Sequence, residues 1–334
     1  MMGQIFKWFL LIPMFFLAGC DQQSGQTWNA SLPWSIKEYH TTNAFAFADA
    51  AREITNGSLE IKVFPGGVLG FKGPETLRAL EEGLIDMADV PAVQEAGNEP
   101  ILAMESLPFL IQTQDELRTL YRLIRPLIEK SFAEHGLKVL YIVPWPRQNI
   151  YTKTRVTSLD DLRGMKIRTY DRNSSEMMTL LGLTPLQMPS GDVVPALASG
   201  MVDAVMTSTT TAAAQQYWEF LPYIYRTNHL WLSNIMSVRL ASWNELSEAN
   251  KKAIEGLARE MEQEFWKIAR EDDLKKLDIL IKNGMEVVEL NKQLLIDMQQ
   301  ISRPMWDQYS ARAGPEIRAI LGQFLRLTDK DGGA

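Results

Sequence analysis

Arg168 is the residue of this 334-residue chain with the clearest chemical potential. It stands near the end of a short predicted strand, Met165 to Tyr170, which follows Gly164. A guanidinium at a strand end can face a cleft, where its planar fork of donors matches a carboxylate in bidentate fashion. The same pattern also fits a surface arginine on the polar face of an edge strand. Both interpretations stay open on these residues alone.

Other polar and aromatic side chains follow predicted strands, where a cleft between α/β units would collect them. Trp145 ends a predicted strand from 138 to 144 and fits either an aromatic wall of a site or core packing. His40 fits the start of a helix better than a ligand contact. The remaining candidates by position are Trp34, Tyr39, Gln94, Asn98, Trp231 and Asn234.

The composition disfavours several other kinds of site. Three histidines and one cysteine, all far apart in sequence, predict no metal site, and no cofactor is predicted. The formal charge of -7 leaves no broad basic surface for nucleic acid. No Gly-x-Ser-x-Gly motif occurs. A periplasmic hydrolase remains an alternative, because folding can bring a serine and a histidine together from distant positions.

The N-terminus has the pattern of an export signal. Residues 1–19 carry Lys7 and a short apolar run, too short for a comfortable membrane span, and end in Leu17-Ala18-Gly19 before Cys20. This resembles a bacterial lipobox, which implies acylation of Cys20 and a lipid anchor. Asp21 resembles an inner-membrane retention signal. Residues 20–27 are predicted to be a polar tether.

The elements that would position these residues alternate between strands and helices. Predicted strands at 28–34, 59–64 and 85–90 are separated by helices at 40–56 and 76–82, which favours a parallel α/β sheet. A helix is predicted over 109–135, and a strand-rich stretch over 229–241. A long helix is predicted over 247–283, followed by a last strand at 285–290 and a helical tail.

One internal similarity points to two related halves. Residues 77–88 and 194–205 both read as a helix, a glycine, an apolar pair, an aspartate and a strand. Two α/β lobes of similar build are therefore favoured over one large sheet. A small ligand would bind in the cleft between them.

Several segments in order resemble the solute-binding proteins of tripartite ATP-independent periplasmic (TRAP) transporters. They are residues 54–70, 83–89, 106–110, 158–168, 181–189 and 200–208. The resemblance implies an α/β, two-lobed periplasmic binding protein fold with a hinge, a central cleft and a long helix spanning both lobes. It also implies that Arg168 binds the carboxylate of the ligand.

The resemblance carries further expectations about the site. Arg147 is the nearest counterpart of a second ligand arginine that many relatives lack. Thr207 and Ser208 stand where many relatives place an asparagine after the matching strand. A hydroxyl contact is therefore expected there in place of an amide.

The predicted lobes are residues 28–145 with about 235–265, and residues 146–234 with about 266–330. The predicted function is that of a monomeric periplasmic receptor, anchored to the inner membrane through Cys20. It captures a small organic acid and delivers it to the large and small permease subunits of a TRAP transporter. A receptor for a sensor kinase or for another transporter class is the alternative. The sequence does not identify the acid.

Overall fold

Two separate β-sheets organise the chain in a computed structural model that describes residues 25–97 and 99–330. The strands are β1 (Gln26–Ser31), β2 (Leu59–Phe64), β3 (Met87–Pro91), β4 (Leu137–Pro144), β5 (Asn149–Thr152), β6 (Lys166–Thr169), β7 (Thr184–Gln187), β8 (Ala204–Thr207), β9 (Tyr223–Tyr225), β10 (Ser233–Arg239) and β11 (Glu286–Val288). One sheet has the order β2-β1-β3-β10-β4, and the other has the order β11-β9-β5-β8-β6-β7.

Helices cover both sheets. They are α1 (Tyr39–Ile54), α2 (Thr76–Glu81), α3 (Gln114–Glu134), α4 (Arg172–Leu180), α5 (Val193–Ala198), α6 (Thr209–Ala214), α7 (Leu240–Asn244), α8 (Glu248–Lys282), α9 (Lys292–Ser302), α10 (Pro304–Arg312) and α11 (Gly314–Leu327). This mixture confirms the predicted α/β class with two lobes. Among the described residues, no helix is both long and apolar enough to cross a bilayer.

The first three strands form the parallel unit expected from their order. β1 pairs with β2 and β3 in parallel, while β10 enters between β3 and β4 and runs antiparallel to both. In β2 the alternation of Leu59 and Ile61 with Glu60 and Lys62 buries one face and exposes the other. Because the connecting helix α1 packs its apolar stripe on that face, the crossover closes a core.

The internal similarity is also structural. α2 and α5 each end at a glycine with positive φ, at +75° for Gly83 and +71° for Gly200. The next residue in each case donates its N–H to a carbonyl in the preceding helix, at 2.9 Å. This is the Schellman-type end that glycine favours. Each unit then enters a parallel strand, β3 in one sheet and β8 in the other.

The chain crosses between the two sheets at three places. The connection from β4 to β5 and the connection from β9 to β10 both pass between them, and α8 is the third crossing. At about 50 Å for its 35 residues, α8 is long enough to contact both halves. Ile254 and Phe265 pack into the core of the first sheet, and Leu280 packs into a core of the second.

Some predicted boundaries differ from the structure. The helix predicted from Phe109 begins only at Gln114, because Phe109 has φ +56° and Thr113 caps the helix by accepting the N–H of Glu116. The strand predicted from 229 begins at Ser233. β7, α6 and β9 were not predicted; β9, for example, is only three residues long.

The tail departs from the predicted lobe boundary. α11 packs against α3, and its Leu321 and Phe324 join the core of the first sheet. The assignment of all of 266–330 to the second lobe therefore does not describe this helix. The reason is its apolar stripe, which is buried against the first lobe after the chain has turned back through α9 and α10.

Candidate functional site

A narrow cleft lies between the two sheets where several strand ends meet. From the first sheet it receives the residues that follow β1, β3 and β4 and those that begin β10; from the second it receives the ends of β6 and β8. The cleft is lined by Trp34, Lys72, Pro91, Val93, Gln94, Trp145, Gln148, Arg168, Tyr170, Ser190, Thr207, Ser208, Thr211, Leu232, Ser233 and Asn234. Its free volume of about 40 Å³ is small, because the lobes are close together.

Arg168 is buried in this cleft. The residue is only 3% exposed, which excludes the interpretation as a surface arginine. Nε donates to the carbonyl of Met188 at 3.1 Å, and Nη1 donates to the carbonyl of Met206 at 3.3 Å. Burial lowers the pKa of the guanidinium. These two bonds orient the planar group while part of its donor set stays available.

Among the described residues, Arg168 forms no ion pair, and the negative charge of Asp171 acts on it only from a longer distance. Within the described residues, no carboxylate oxygen lies within 4.0 Å of its guanidinium. Its central carbon lies 5.4 Å from the ring centroid of Tyr170, an interaction far weaker than an ion pair. Because a buried charge without a counterion is costly, an anionic ligand would stabilise this arrangement.

An aromatic wall faces Arg168 from the first lobe. The rings of Trp34 and Trp145 meet edge to face, with centroids 4.7 Å apart. Trp145 donates its indole N–H to Oδ1 of Asn234 at 2.9 Å. Trp34 and Asn234 both donate to Oδ2 of Asp89, at 2.8 and 2.7 Å. The structure thus brings together three of the residues singled out from the sequence.

The opposite wall consists of hydroxyls from the second lobe. Thr207 ends β8 and lines the cleft beside Ser208, which caps α6 by accepting the N–H of Thr211 at 3.3 Å. The hydroxyl of Tyr170 is buried with no hydrogen-bond partner among the described residues. The cleft therefore combines one guanidinium with neutral polar groups.

Gln94 reaches the cleft from the loop after β3. Its side-chain oxygen lies close to the position that a Cβ on Gly73 would occupy, so a larger residue at position 73 would displace the end of this side chain. Gly73 also has φ +136°, which side-chain-bearing residues rarely adopt. Within the part of the chain that the structure describes, the Gln94 oxygen accepts no hydrogen bond.

His40 lies behind the wall and not at its surface. It is buried between Tyr39 and Trp145, with ring centroids 4.5 and 4.1 Å away. Burial lowers the pKa of the imidazole well below its usual value, so the ring is neutral. Tyr39 donates to the carbonyl of Pro144 and does not line the cleft either. Both residues support the wall.

Arg147 and Trp231 lie outside the cleft. They line a second cavity of about 270 Å³ between the hinge connections and the middle of α8, next to Asp273. Trp145 separates the two spaces and contributes to both. The side chain of Arg147 therefore does not line the cleft. Asn98 and Cys20 lie outside the described residues.

The sequence analysis missed several lining residues, and some had a readable signal. Tyr170 follows Arg168 by two positions, and side chains two apart on a strand share a face. Thr211 stands three positions after Ser208, the spacing of a helix cap. Lys72 and Gln148 carried no such signal, because their loops reach the cleft only through the folding of the chain.

Among the contacts of the described residues that join the lobes, two involve residues that line the cleft. Thr211 donates its hydroxyl to Oε1 of Glu38 at 2.9 Å, and both residues are buried. Lys72 pairs with Asp192 at 3.1 Å near the solvent. Burial raises the pKa of Glu38, while hydrogen bonds from Ser35 and Thr211 act in the opposite direction. The structure is therefore that of lobes closed on each other.

Known proteins share this architecture. A Bordetella pertussis extracytoplasmic solute receptor binding pyroglutamic acid superposes with a TM-score of 0.87 at 29% identity, covering 90% of this chain and 99% of the receptor. A marine metagenome TRAP solute-binding protein specific for pyroglutamate also gives 0.87, at 27% identity, covering 91% of this chain and 99% of that protein. The 2,3-diketo-L-gulonate-binding periplasmic protein YiaO of Escherichia coli is 27% identical over 258 residues, which cover 75% of this chain and 77% of that protein.

The match to a family model is longer than any single shared motif. The model described as bacterial extracellular solute-binding protein, family 7 (DctP), matches residues 33–312. That span contains every described strand except β1, together with α8 and the residues that line the cleft. The chain therefore belongs to bacterial extracellular solute-binding protein family 7, the DctP-type extracytoplasmic solute receptors of TRAP transporters.

Proposed function

We propose that this receptor captures a small organic acid through Arg168 and delivers it to the membrane permease of a TRAP transporter for ion-gradient-driven uptake. The observation that carries the proposal is a buried guanidinium in the interlobe cleft with no carboxylate beside it among the described residues. A ligand carboxylate would supply the missing charge and accept the remaining N–H donors. The residue roles that follow are part of the same proposal.

Closure of the lobes gives the ion pair its strength. With the lobes apart, water would screen the guanidinium and compete for its donors. With the lobes closed, the pair sits in a dry site where electrostatic attraction is stronger. The ligand stabilises the closed state by its differential affinity for the two conformations, and the closed receptor is the form that the permease would recognise.

The lining favours a small monocarboxylate with one or two further polar atoms. Arg168 is the only buried cation among the described lining residues, since Lys72 is exposed and paired with Asp192. Gln94 offers an acceptor for a ligand N–H, and Tyr170 offers a hydroxyl donor. Pyroglutamate carries one carboxylate, one lactam N–H and one ring carbonyl. It is therefore the first ligand to test, in line with the two structurally similar receptors.

Calorimetry with matched ligands tests the proposal. We expect pyroglutamate, or another small monocarboxylate from a screen of organic acids, to bind and to raise the melting temperature by mass action. 2-Pyrrolidinone is the matched control, because it has the same lactam ring without the carboxylate, and we expect no binding. If neutral compounds raised the melting temperature and no organic acid did, the hypothesis that the cleft binds a carboxylate would be wrong.

We infer that the receptor performs no catalysis. His40 and His229 are buried with lowered pKa values, and His135 pairs with Glu81 and Glu99 on the surface. None of the three lines the cleft. An NMR spectrum of the bound acid after prolonged incubation should be unchanged; any new product resonance would revive the enzyme alternative.

We also propose that the receptor is held at the outer face of the inner membrane by acyl chains on Cys20. The lipobox-like segment before Cys20 and the aspartate after it support this location. Labelling cells with a palmitate analogue should mark the wild-type protein and not a Cys20→Ser variant. Equal release of both proteins in the soluble periplasmic fraction would contradict the anchor.

A further inference from the structure

We propose that Asp89, which does not touch the cleft, is the positioning residue that sets which donors and acceptors the cleft presents to its ligand. It acts by orienting the amide of Asn234 and the indoles of Trp34 and Trp145. The inference rests on the proposed function only in taking the cleft as the ligand site. The geometry of the chain of hydrogen bonds stands independently of any ligand.

Four side chains form a continuous buried chain. Trp34 Nε1 donates to Asp89 Oδ2 at 2.8 Å, and Asn234 Nδ2 donates to the same oxygen at 2.7 Å. Asn234 Oδ1 in turn accepts from Trp145 Nε1 at 2.9 Å. The first three residues lie on different segments of the first lobe, β1 to α1, β3 and β10. A single carboxylate thus connects both indoles of the wall.

Asp89 and Trp145 fix the direction of this chain from its two ends, since an ionised carboxylate can only accept and an indole can only donate. An ionised carboxylate accepts and never donates, so the amide of Asn234 must turn its NH₂ toward Asp89. Its carbonyl oxygen then faces Trp145, whose indole can only donate. Asn234 also lines the cleft. The second hydrogen of its NH₂ and the second lone pair of its oxygen are therefore presented to a ligand in one defined order.

The surroundings of Asp89 make its protonation consequential. The residue is 2% exposed, and the groups that face it are His40, whose Nδ1 lies 3.6 Å from Oδ2, and the phenols of Tyr39 and Tyr141. His40 is neutral, so the described residues supply hydrogen bonds but no cation. Burial raises the pKa of Asp89 to about 7, against the opposing effect of the bonds from Asn234 and Trp34. A protonated Asp89 would carry a donor into the chain.

Indole and amide NMR resonances of the ligand-free full-length receptor give a direct readout. Trp34→Phe and Trp145→Phe variants identify the two indole N–H resonances. In Asp89→Asn we expect the Trp34 indole and Asn234 amide resonances to shift, because a neutral amide oxygen accepts their two hydrogen bonds more weakly than a carboxylate oxygen does. Calorimetry with pyroglutamate, or with the acid found by screening, should show binding about tenfold weaker or worse, which corresponds to roughly 1.4 kcal/mol.

Tyr141→Phe is the matched control. Tyr141 faces Asp89 from β4, but its hydroxyl has no hydrogen-bond partner in the described part of the chain and takes no part in the four-residue chain. We expect its removal to leave the two indole resonances and the affinity unchanged. An equal effect of Asp89→Asn and Tyr141→Phe would reduce Asp89 to a general packing role and overturn the proposal.

The outcomes separate this inference from the proposed function. Unchanged resonances and unchanged affinity in Asp89→Asn would overturn the positioning role. Shifted resonances in a receptor that binds no organic acid would support the positioning role while the proposed function fails. Should Asp89→Asn not fold, the wild-type protein decides by pH titration: the Trp34 indole and the Asn234 amide must titrate with one common midpoint, and separate midpoints would overturn the proposal.

Discussion

Replacing Arg168 with alanine is the most informative perturbation of the cleft. The change removes a guanidinium that is almost fully buried and that donates to the carbonyls of Met188 and Met206. When one partner of a desolvated charge pair is truncated, the loss is about 2–5 kcal/mol, much of it the penalty on the stranded partner. At 1.4 kcal/mol for each factor of ten, binding of the acid should weaken by about 30-fold to several thousand-fold.

The stability of the ligand-free receptor should change much less than its affinity. Two carbonyls lose a donor, at about 1–3 kcal/mol each if they stay dry. Against this, a buried charge disappears whose desolvation costs several kcal/mol. The two effects oppose each other, so we expect a melting temperature close to that of the wild type, together with loss of the shift that the ligand produces.

Isothermal titration calorimetry and thermal unfolding measure the two quantities separately. Arg168→Lys keeps the charge without the planar fork and should recover only part of the lost affinity. Arg163→Ala is the control from the same segment, because Arg163 is exposed and, among the described residues, forms its ion pair with the exposed Asp160. Arg147→Ala should also bind within about threefold of wild type, since its side chain lines the other cavity. A folded Arg168→Ala variant with unchanged affinity would refute the role of Arg168.

Three further changes test the closure and the buried acids. Thr211→Val removes the hydroxyl that donates a hydrogen bond to Glu38 across the cleft at 2.9 Å. We expect about tenfold weaker binding or worse, and a larger radius of gyration of the ligand-bound receptor in solution scattering. If both values are unchanged, Thr211 and Glu38 do not form a closing contact. Lys72→Gln breaks an ion pair with Asp192 whose side chains are 58% and 47% exposed, so calorimetry should show a loss below about threefold, and a loss as large as that of Thr211→Val would be inconsistent with this difference in burial. Glu105→Gln tests the pH dependence of stability. Burial raises the pKa of Glu105 from 4.5 to about 7, so the folded state retains a proton that the unfolded state releases. The stability of the wild type therefore falls as the pH rises from about 4.5 to 7. Glu105 should contribute about 3 kcal/mol at most to that fall. Urea unfolding should show a smaller difference in unfolding free energy between pH 5 and pH 8 in the variant than in the wild type. An equal difference in the two proteins would show that Glu105 does not titrate in this range.

The sequence by itself determined the local elements well, because their causes are local. β2 has the predicted bounds, since strict alternation from Leu59 to Phe64 admits one strand register. α8 lies within one residue of its predicted ends because Ser247 caps it and no proline interrupts it. The paired glycines at 83 and 200 predicted the two related halves, since both need a positive φ after a helix.

The tertiary structure decided which site residues are buried and which residues they contact. The sequence around Arg168 fits a surface charge as well as a ligand-binding residue. The choice depends on the position of β6 inside its sheet, between β8 and β7. Arg147, only 21 positions earlier, lines a different cavity, next to Asp273 of α8. Periodicity assigns a side chain to a face of its strand. It does not show whether the other lobe covers that face.

The polar chain behind the wall depends most strongly on the fold. Trp34 and Asp89 are 55 positions apart, Asp89 and Asn234 are 145 apart, and Glu38 and Thr211 are 173 apart. No spacing rule connects residues at such separations, because their contact follows from strand order and lobe closure. The sequence thus predicted the residue types that can bind an organic acid. Which of them face one another was settled only when the two sheets closed over the same cleft.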